Sequence, residues 1–280
     1  MKVLVAGSIT RDTLVHEGPG ERGDGLDHAR LAPGGTAFYA TNAYTQLGAD
    51  VRVVTRVAAA DDAWVRARFP RHVELHVQPS GVTTSFENHY RGDARSQRVT
   101  AVAPPIAFSS HLLDGIDWVH LGPLHPADLD RGWFELTGRP LALDVQGMVR
   151  RIAGERVVAE AAPDLARLLR RLHWLKAGLD EWQVVLEALG TDEAGFAARH
   201  PDIEVLCTEG RKGGAVLRAD TATLSWTPMP VVDRHDPTGA GDVFFAAYLQ
   251  HRVGRGAPAH GAAPAAAAWV SRFLMERDLP

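Results

Sequence analysis

Asp236-Pro237-Thr238-Gly239-Ala240-Gly241-Asp242 runs directly into Val243-Phe244-Phe245-Ala246-Ala247-Tyr248-Leu249, so that a loop of small residues enters an apolar helix. The first N–H groups of a helix have no internal partner, and the helix dipole is positive at that end. Glycines there let the backbone come close to a ligand and take up positive φ. Such a place suits a phosphate group. Asp242 falls in the first turn, beside any phosphate held there, where a carboxylate repels the ligand unless it has a task. The task consistent with its position is to take a proton from a hydroxyl whose oxygen attacks phosphorus. The plain alternative is that Asp236 and Asp242 cap the helix and the glycines shape a turn.

The rest of the composition narrows the field. The chain has 280 residues, is 45% hydrophobic and 23% charged, and carries a net charge of −4. That suits one large α/β domain and offers no basic footprint for nucleic acid. Arginine clusters at Arg150-Arg151 and Arg167…Arg170-Arg171 read as solvated faces. The single cysteine, Cys207, lies in an apolar strand pattern and suits a reducing compartment. No apolar run reaches membrane-spanning length, and the N-terminus reads as a strand. A cytoplasmic enzyme, without nucleic-acid or membrane partners, is the expectation.

Asp-x-Thr-Gly-Ala-Gly-Asp before an apolar helix resembles the second signature of the ribokinase/PfkB sugar-kinase family. Neither a Gly-x-x-x-x-Gly-Lys-Ser/Thr motif nor a His-Arg-Asp loop occurs. The resemblance implies an anion hole from the N–H groups of Gly239, Ala240 and Gly241, with Asp242 as catalytic base. It implies a doubly wound, mostly parallel sheet flanked by helices, with a small β-sheet lid.

The N-terminal half carries a second set of matches. Lys2–Ala6 reads as a buried strand, and in open α/β sheets ligands bind beyond the carboxyl ends of strands. Gly7-Ser8-Ile9-Thr10-Arg11-Asp12 is similar to the family's opening, which makes Asp12 an acceptor for substrate hydroxyls. Pro33-Gly34-Gly35-Thr36 opens a helix running to about Leu47, with Gly48 as its stop. It resembles the first signature, with Gly34 and Gly35 under the substrate. Tyr39 stands where Asn is usual, a departure from ribose and fructose kinases. One domain, 1–280, is expected, with lid strands inserted at about 11–33 and 73–103. Alternation over 73–77, 83–90 and 97–102 reads as a small antiparallel sheet, with Asn88 among its polar groups. His125 follows a core strand at a Pro-rich turn and is a candidate substrate contact.

Three further segments resemble family sites. Asp144-Val145-Gln146-Gly147-Met148-Val149-Arg150 is most similar to the myo-inositol kinase branch, with Gln146 toward the acceptor and Asp144 in a magnesium water network. Lys176…Glu181 matches a Lys-x-Asn-x-x-Glu motif, with Gly178 in place of Asn and Glu181 organising magnesium waters. Thr208-Glu209-Gly210-Arg211-Lys212-Gly213 resembles the nucleotide-side turn, giving Thr208, Gly210 and Gly213, with Asp236, Thr238 and Gly239, as nucleotide contacts. Ala161–Arg171 reads as an amphipathic helix. The resemblance implies ATP and Mg2+, a monovalent cation such as K+ in some relatives, and a homodimer through the lid. It implies phosphorylation of a small polyol or sugar, myo-inositol first. A nucleoside kinase is the alternative, and a catalytically silent ligand-binding homologue a third reading.

Overall fold

The computed structural model describes residues 1–17, 28–91, 94–220, 223–227 and 237–277. In chain order its strands are β1 (Lys2–Gly7), β2 (Thr10–Glu17), β3 (His28–Gly34), β4 (Asp50–Ala58), β5 (Glu74–Ser80), β6 (Ser85–Arg91), β7 (Ala94–Ala101), β8 (Trp118–Gly122), β9 (Leu141–Asp144), β10 (Arg150–Ala153), β11 (Arg156–Ala159), β12 (Trp174–Gly178), β13 (Glu204–Thr208), β14 (Gly214–Leu217) and β15 (Leu224–Trp226). The helices are α1 (Thr36–Gln46), α2 (Asp62–Arg66), α3 (Leu165–Leu169), α4 (Leu179–Leu189), α5 (Glu193–Arg199), α6 (Ala240–Leu249) and α7 (Ala259–Arg277).

The main sheet has nine strands in the order β15-β14-β13-β12-β9-β8-β1-β4-β5. From β13 through β5 every neighbouring pair is parallel; β14 and β15 add an antiparallel edge. Period-2 alternation sends Val3 and Val5 of β1 to one face and Leu4 and Ala6 to the other. The first face is covered by α1, α6 and α7, the second by α3, α4 and α5. The chain winds outward from β1 in both directions, so β1 marks the point where strand order reverses. Crevices at the carboxyl ends of such strands are where α/β sheets bind ligands.

A second sheet of six strands, β10-β11-β7-β6-β2-β3, stands over that rim. Four features differ from the sequence reading. The 73–77 segment belongs to β5, a parallel edge strand of the main sheet, not to the small one. Its alternation has another cause. Val73, Leu75 and Val77 pack on the core, while Glu74 accepts from Lys2, Arg52 and His76 on the other face. The small sheet is also not purely antiparallel, since β2 and β6 run parallel. Both leave the same rim, β2 after the end of β1 and β6 after the end of β5, so they set off in one direction. The hairpin β10–β11 completes this sheet; no motif in the sequence marked it. Helix α3 is shorter than the 161–171 pattern suggested, because Pro163 disfavours helical backbone just before it. Among the described residues no helix is long and apolar enough to cross a membrane.

Candidate active site

Gly239 takes φ 82° and ψ −5° to turn the chain into α6, a conformation that favours glycine. A Cβ there would lie 2.5 Å from the Tyr39 ring, so glycine is needed for space as well. The ring of Tyr39 rests on this backbone, buried, with Phe38 and Phe273 edge-on to it at 5.2 and 6.3 Å. The departure at position 39 is thus the wall of the α6 entrance. The Ala240 N–H donates to Pro237 O at 3.0 Å, so one of the three expected anion-hole donors is spent on the turn that shapes the loop. Asp236 lies outside the described residues.

Behind this entrance lies a cluster of charges from separate segments. Asp144 ends β9, Lys176 is in β12, and Glu181 is in the first turn of α4. The Lys176 ammonium sits 3.0 Å from Asp144 Oδ2 and 3.9 Å from Glu181 Oε2. Arg150 reaches to 3.7 Å from Glu181 Oε1. The Gly178 N–H donates to Glu181 Oε2 at 2.7 Å, and the Gln146 N–H to Asp144 Oδ1 at 3.1 Å. A Cβ on Gly241 would stand 3.1 Å from the Lys176 ammonium. The missing side chain at 241 therefore lets a buried cation come up beneath the helix entrance.

These neighbours set the protonation of Asp242. Burial, then the charge of Asp144, pushes its carboxyl up to about 7; Lys176 and the Thr36 hydroxyl pull the other way. Burial alone would weaken the hold of Lys176 on its proton, but Asp144, Glu181 and Asp242 more than offset it and leave the ammonium firmly charged. Glu181 is held below the usual carboxylate range: burial opposes this, and Lys176, the Gly178 N–H and Arg150 prevail. Among the described residues no three ligating side chains gather around one point, and Lys176 already lies against both Asp144 and Glu181. The two carboxylates therefore fit a place outside the waters of a magnesium ion rather than direct ligation.

In front of Asp242 is a cavity of about 120 Å3. Thr10, Asp12, Gln97, Gln146 and Arg150 give it a polar lining, and Tyr39, Phe86 and Leu124 its apolar walls. Gly34 and Gly35 allow its floor to close. A Cβ on Gly34 would strike the Asp12 carboxylate at 2.3 Å, and one on Gly35, at φ 85°, would strike Ser8 O at 2.2 Å. The glycine pair thus lets the end of β1, strand β2 and the start of α1 meet at one point. The second sheet touches the α6 loop directly, with the Tyr90 hydroxyl 3.2 Å from Thr238 Oγ1.

Asp242, Gly239, Asp12, Gly35, Tyr39, Gln146 and Thr238 all line this cavity; Gly34, Ala240, Gly241, Asp144 and Glu181 lie directly behind it. Asn88 and His125 are also absent from its lining. Asn88 is fully buried and accepts from Gln97 Nε2 at 2.9 Å, so that Gln97 is the lining residue. His125 is turned into the protein, 3.9 Å from Asp128, and its neighbour Leu124 faces the cavity instead. Burial weakens the hold of His125 on a proton, against the pull of Asp128. Asp128 explains the turn: buried, it accepts from Ser8 Oγ at 2.6 Å and from the Leu124 N–H at 2.9 Å. Thr208, Gly210 and Gly213 form a turn at the end of β13, beside Gly178 of β12 and apart from the cavity. Gln97, Leu124, Thr36 and Asp128 carry no motif; only Thr36, directly after the glycine pair, stood near one.

Residues 142–272 match the pfkB family carbohydrate kinases. The chain is 32% identical over 269 residues to the inositol 3-kinase of Oryza sativa subsp. japonica, which takes in 88% of this chain and 61% of that protein. The chain therefore spans less than two thirds of the length of this curated relative. Among solved structures, a pyrophosphate-dependent kinase in the ribokinase family, complexed with a pyrophosphate analog and myo-inositol, superposes with a TM-score of 0.78 at 22% identity, over 98% of this chain and 95% of that one. Arabidopsis thaliana ribokinase complexed with ribose and ATP superposes with a TM-score of 0.72 at 19% identity, over 98% and 92%. The fold is ribokinase-like.

Proposed function

We propose that the chain, which belongs to the pfkB family of carbohydrate kinases, transfers the γ-phosphoryl group of ATP to a hydroxyl of a small polyol, with myo-inositol the favoured acceptor. The observation that carries this reading is Asp242, which borders a polar cavity on one side and the glycine entrance of α6 on the other.

In this reading the acceptor lies against Asp12, Gln97 and Gln146, which turn one hydroxyl toward Asp242. The hydroxyl oxygen forms a bond to the γ-phosphorus as the bond from that phosphorus to the β–γ bridging oxygen breaks. The bridging oxygen keeps the electron pair and leaves as part of ADP. The hydroxyl proton passes to the Asp242 carboxylate. A carboxyl near 7 is matched to that step, since it is ionised in part beforehand and holds the proton afterwards. The α6 entrance, with Lys176 beneath Gly241, supplies positive potential where charge spreads over the transferring oxygens. Mg2+, bound largely through donor phosphates and water, would add charge neutralisation, with Asp144 and Glu181 beyond its waters. The nucleotide would extend toward Thr208, Gly210 and Gly213.

A cavity of about 120 Å3 favours a compact acceptor, since pockets for drug-sized ligands run to roughly 300–1,000 Å3. That favours a polyol over a nucleoside. The test is a coupled ADP-release screen of inositols, pentoses, hexoses and nucleosides with ATP, and a parallel phosphate-release arm with pyrophosphate as donor. Asp242→Asn should lower turnover by about 10²–10⁴ with nucleotide binding kept. Near-normal turnover in that variant removes Asp242 as the base, and an absence of transfer to every acceptor removes the kinase reading.

A further inference from the structure

On the far side of the main sheet lies a cleft of about 550 Å3 between the 131–135 turn and α3. Its apolar base is Phe134 and Leu168, both buried. Its rim carries four guanidinium groups, Arg131, Arg167, Arg170 and Arg171, against the carboxylates of Glu135 and Asp164. Only Arg167 is matched, to Glu135 at 2.6 Å. Among the described residues Arg131, Arg170 and Arg171 make no ion pair. A chain of net charge −4 thus gathers an excess of cations around one concave surface. Their field reaches beyond it: His200, just past the end of α5 and partly buried, has its proton affinity lowered first by burial and then by Arg199 and Arg170.

We infer that this cleft is a second, non-catalytic binding site for a phosphate-bearing small molecule. Arginine forks pair with phosphate through two parallel hydrogen bonds, and guanidinium groups give up water more readily than ammonium groups. A solvated arginine face needs neither an apolar base nor concavity; a phosphate on an organic body uses both. Like charges held together in one cleft repel one another, and a bound anion removes that cost. The 131–135 turn leads into the amino end of β9, and α3 into the amino end of β12. Strand β9, four residues and so roughly 13 Å long, separates the end at which the turn enters it from Asp144. The occupant therefore braces the two segments that feed Asp144 and Lys176 into the active site, without touching either.

The test is hydrogen exchange on the whole chain with inorganic pyrophosphate as probe and sulfate at equal ionic strength as the control for charge alone. Pyrophosphate should slow exchange across 164–171 in the wild type and in Asp242→Asn. The protection should disappear in Arg170→Ser/Arg171→Ser, with pyrophosphate affinity at the cleft weakened roughly tenfold or more. Arg170→Lys/Arg171→Lys, which keeps the charge and loses the forks, should restore only part of it. Both arginines are exposed, so an unchanged melting temperature verifies that the serine variant is folded. No protection of 164–171 at millimolar pyrophosphate, or protection that survives the serine variant, overturns the site. Neither readout uses phosphoryl transfer, so failure here and failure of the kinase reading are separate results.

Discussion

Replacing Lys176 with Met would test the charge arrangement under the active site most directly. Lys176 is 6% exposed, and its ammonium is 3.0 Å from Asp144 Oδ2 and 3.9 Å from Glu181 Oε2. At an effective dielectric of about 20, those separations correspond to gross attractions of about 5.5 and 4.3 kcal/mol. Most of this is offset by the cost of burying the charges. What remains on removing one partner is the cost of leaving the others unneutralised, about 3–5 kcal/mol. For a chain of this size that corresponds to a fall in Tm on the order of 10 °C.

The same change acts on Asp242. Lys176 lowers the pKa of a carboxyl that stands at about 7, so losing the cation raises it. The proposed base works only when ionised, and kcat/KM reports the free enzyme. The acid limb of the kcat/KM profile should therefore move to higher pH in Lys176→Met. A rise of about one unit leaves roughly a tenth of Asp242 ionised at neutral pH, and activity should recover as pH increases. That recovery separates an electrostatic effect from collapse of the site, which would cost activity at every pH. Asp144→Asn in the Lys176→Met background should restore part of the lost stability, because it removes a carboxylate left without its cation. An unchanged Tm together with an unmoved acid limb in Lys176→Met would refute the reasoning.

Two further outcomes follow from the geometry. Asp242 binds its proton more tightly folded than unfolded, so it costs the folded state stability as pH rises from about 4 to about 7, and the cost is then constant. Denaturant midpoints should thus show Asp242→Asn gaining on the wild type across that window and not beyond it; a constant difference from pH 4 to 8 would contradict the raised value. Gly35→Ala, whose Cβ meets Ser8 O at 2.2 Å, should abolish soluble expression, whereas Gly48→Ala, at φ 81° with no atom within 4 Å, should cost only about 1–2 kcal/mol by thermal denaturation.

What the sequence disclosed was local, and what it concealed was the meeting of distant segments. The glycines at 34–35 and 239–241 announce close backbone approach in their own composition, and the strands of the main sheet announce themselves by apolar runs. Nothing local says that Tyr39 will lie on Gly239, or that Lys176 will stop beneath Gly241. Those contacts exist because α1 and α6 share one face of the sheet while β9 and β12 are neighbours within it. A histidine in a strand-end turn shows its position and not its direction, so the sequence could not say which way His125 points; Asp128, bound to Ser8 and the Leu124 N–H, fixes the turn. The 73–77 alternation misled because an edge strand of a parallel sheet and a strand of a half-solvated small sheet produce the same period.

The departures from the family pattern at positions 39 and 178 act on the same few ångströms from opposite sides. At 178 glycine offers only its N–H, and Glu181 takes it. The carboxylate is thereby drawn toward Lys176 and Arg150 and away from the cavity. At 39 an aromatic ring covers Gly239 where a smaller amide is usual, and narrows the acceptor side. The first change leaves fixed cations, rather than side-chain amides, next to the proposed phosphoryl path. The second leaves a cavity lined by Thr10, Asp12, Gln97 and Gln146, which in the proposed complex supply most of the recognition through hydrogen bonds. A site of that kind discriminates by the number and placement of acceptor hydroxyls, because an acceptor lacking one leaves a buried polar group unpaired. Removing single hydroxyls from a ring polyol should then reduce kcat/KM far more than adding or removing apolar bulk beyond the ring.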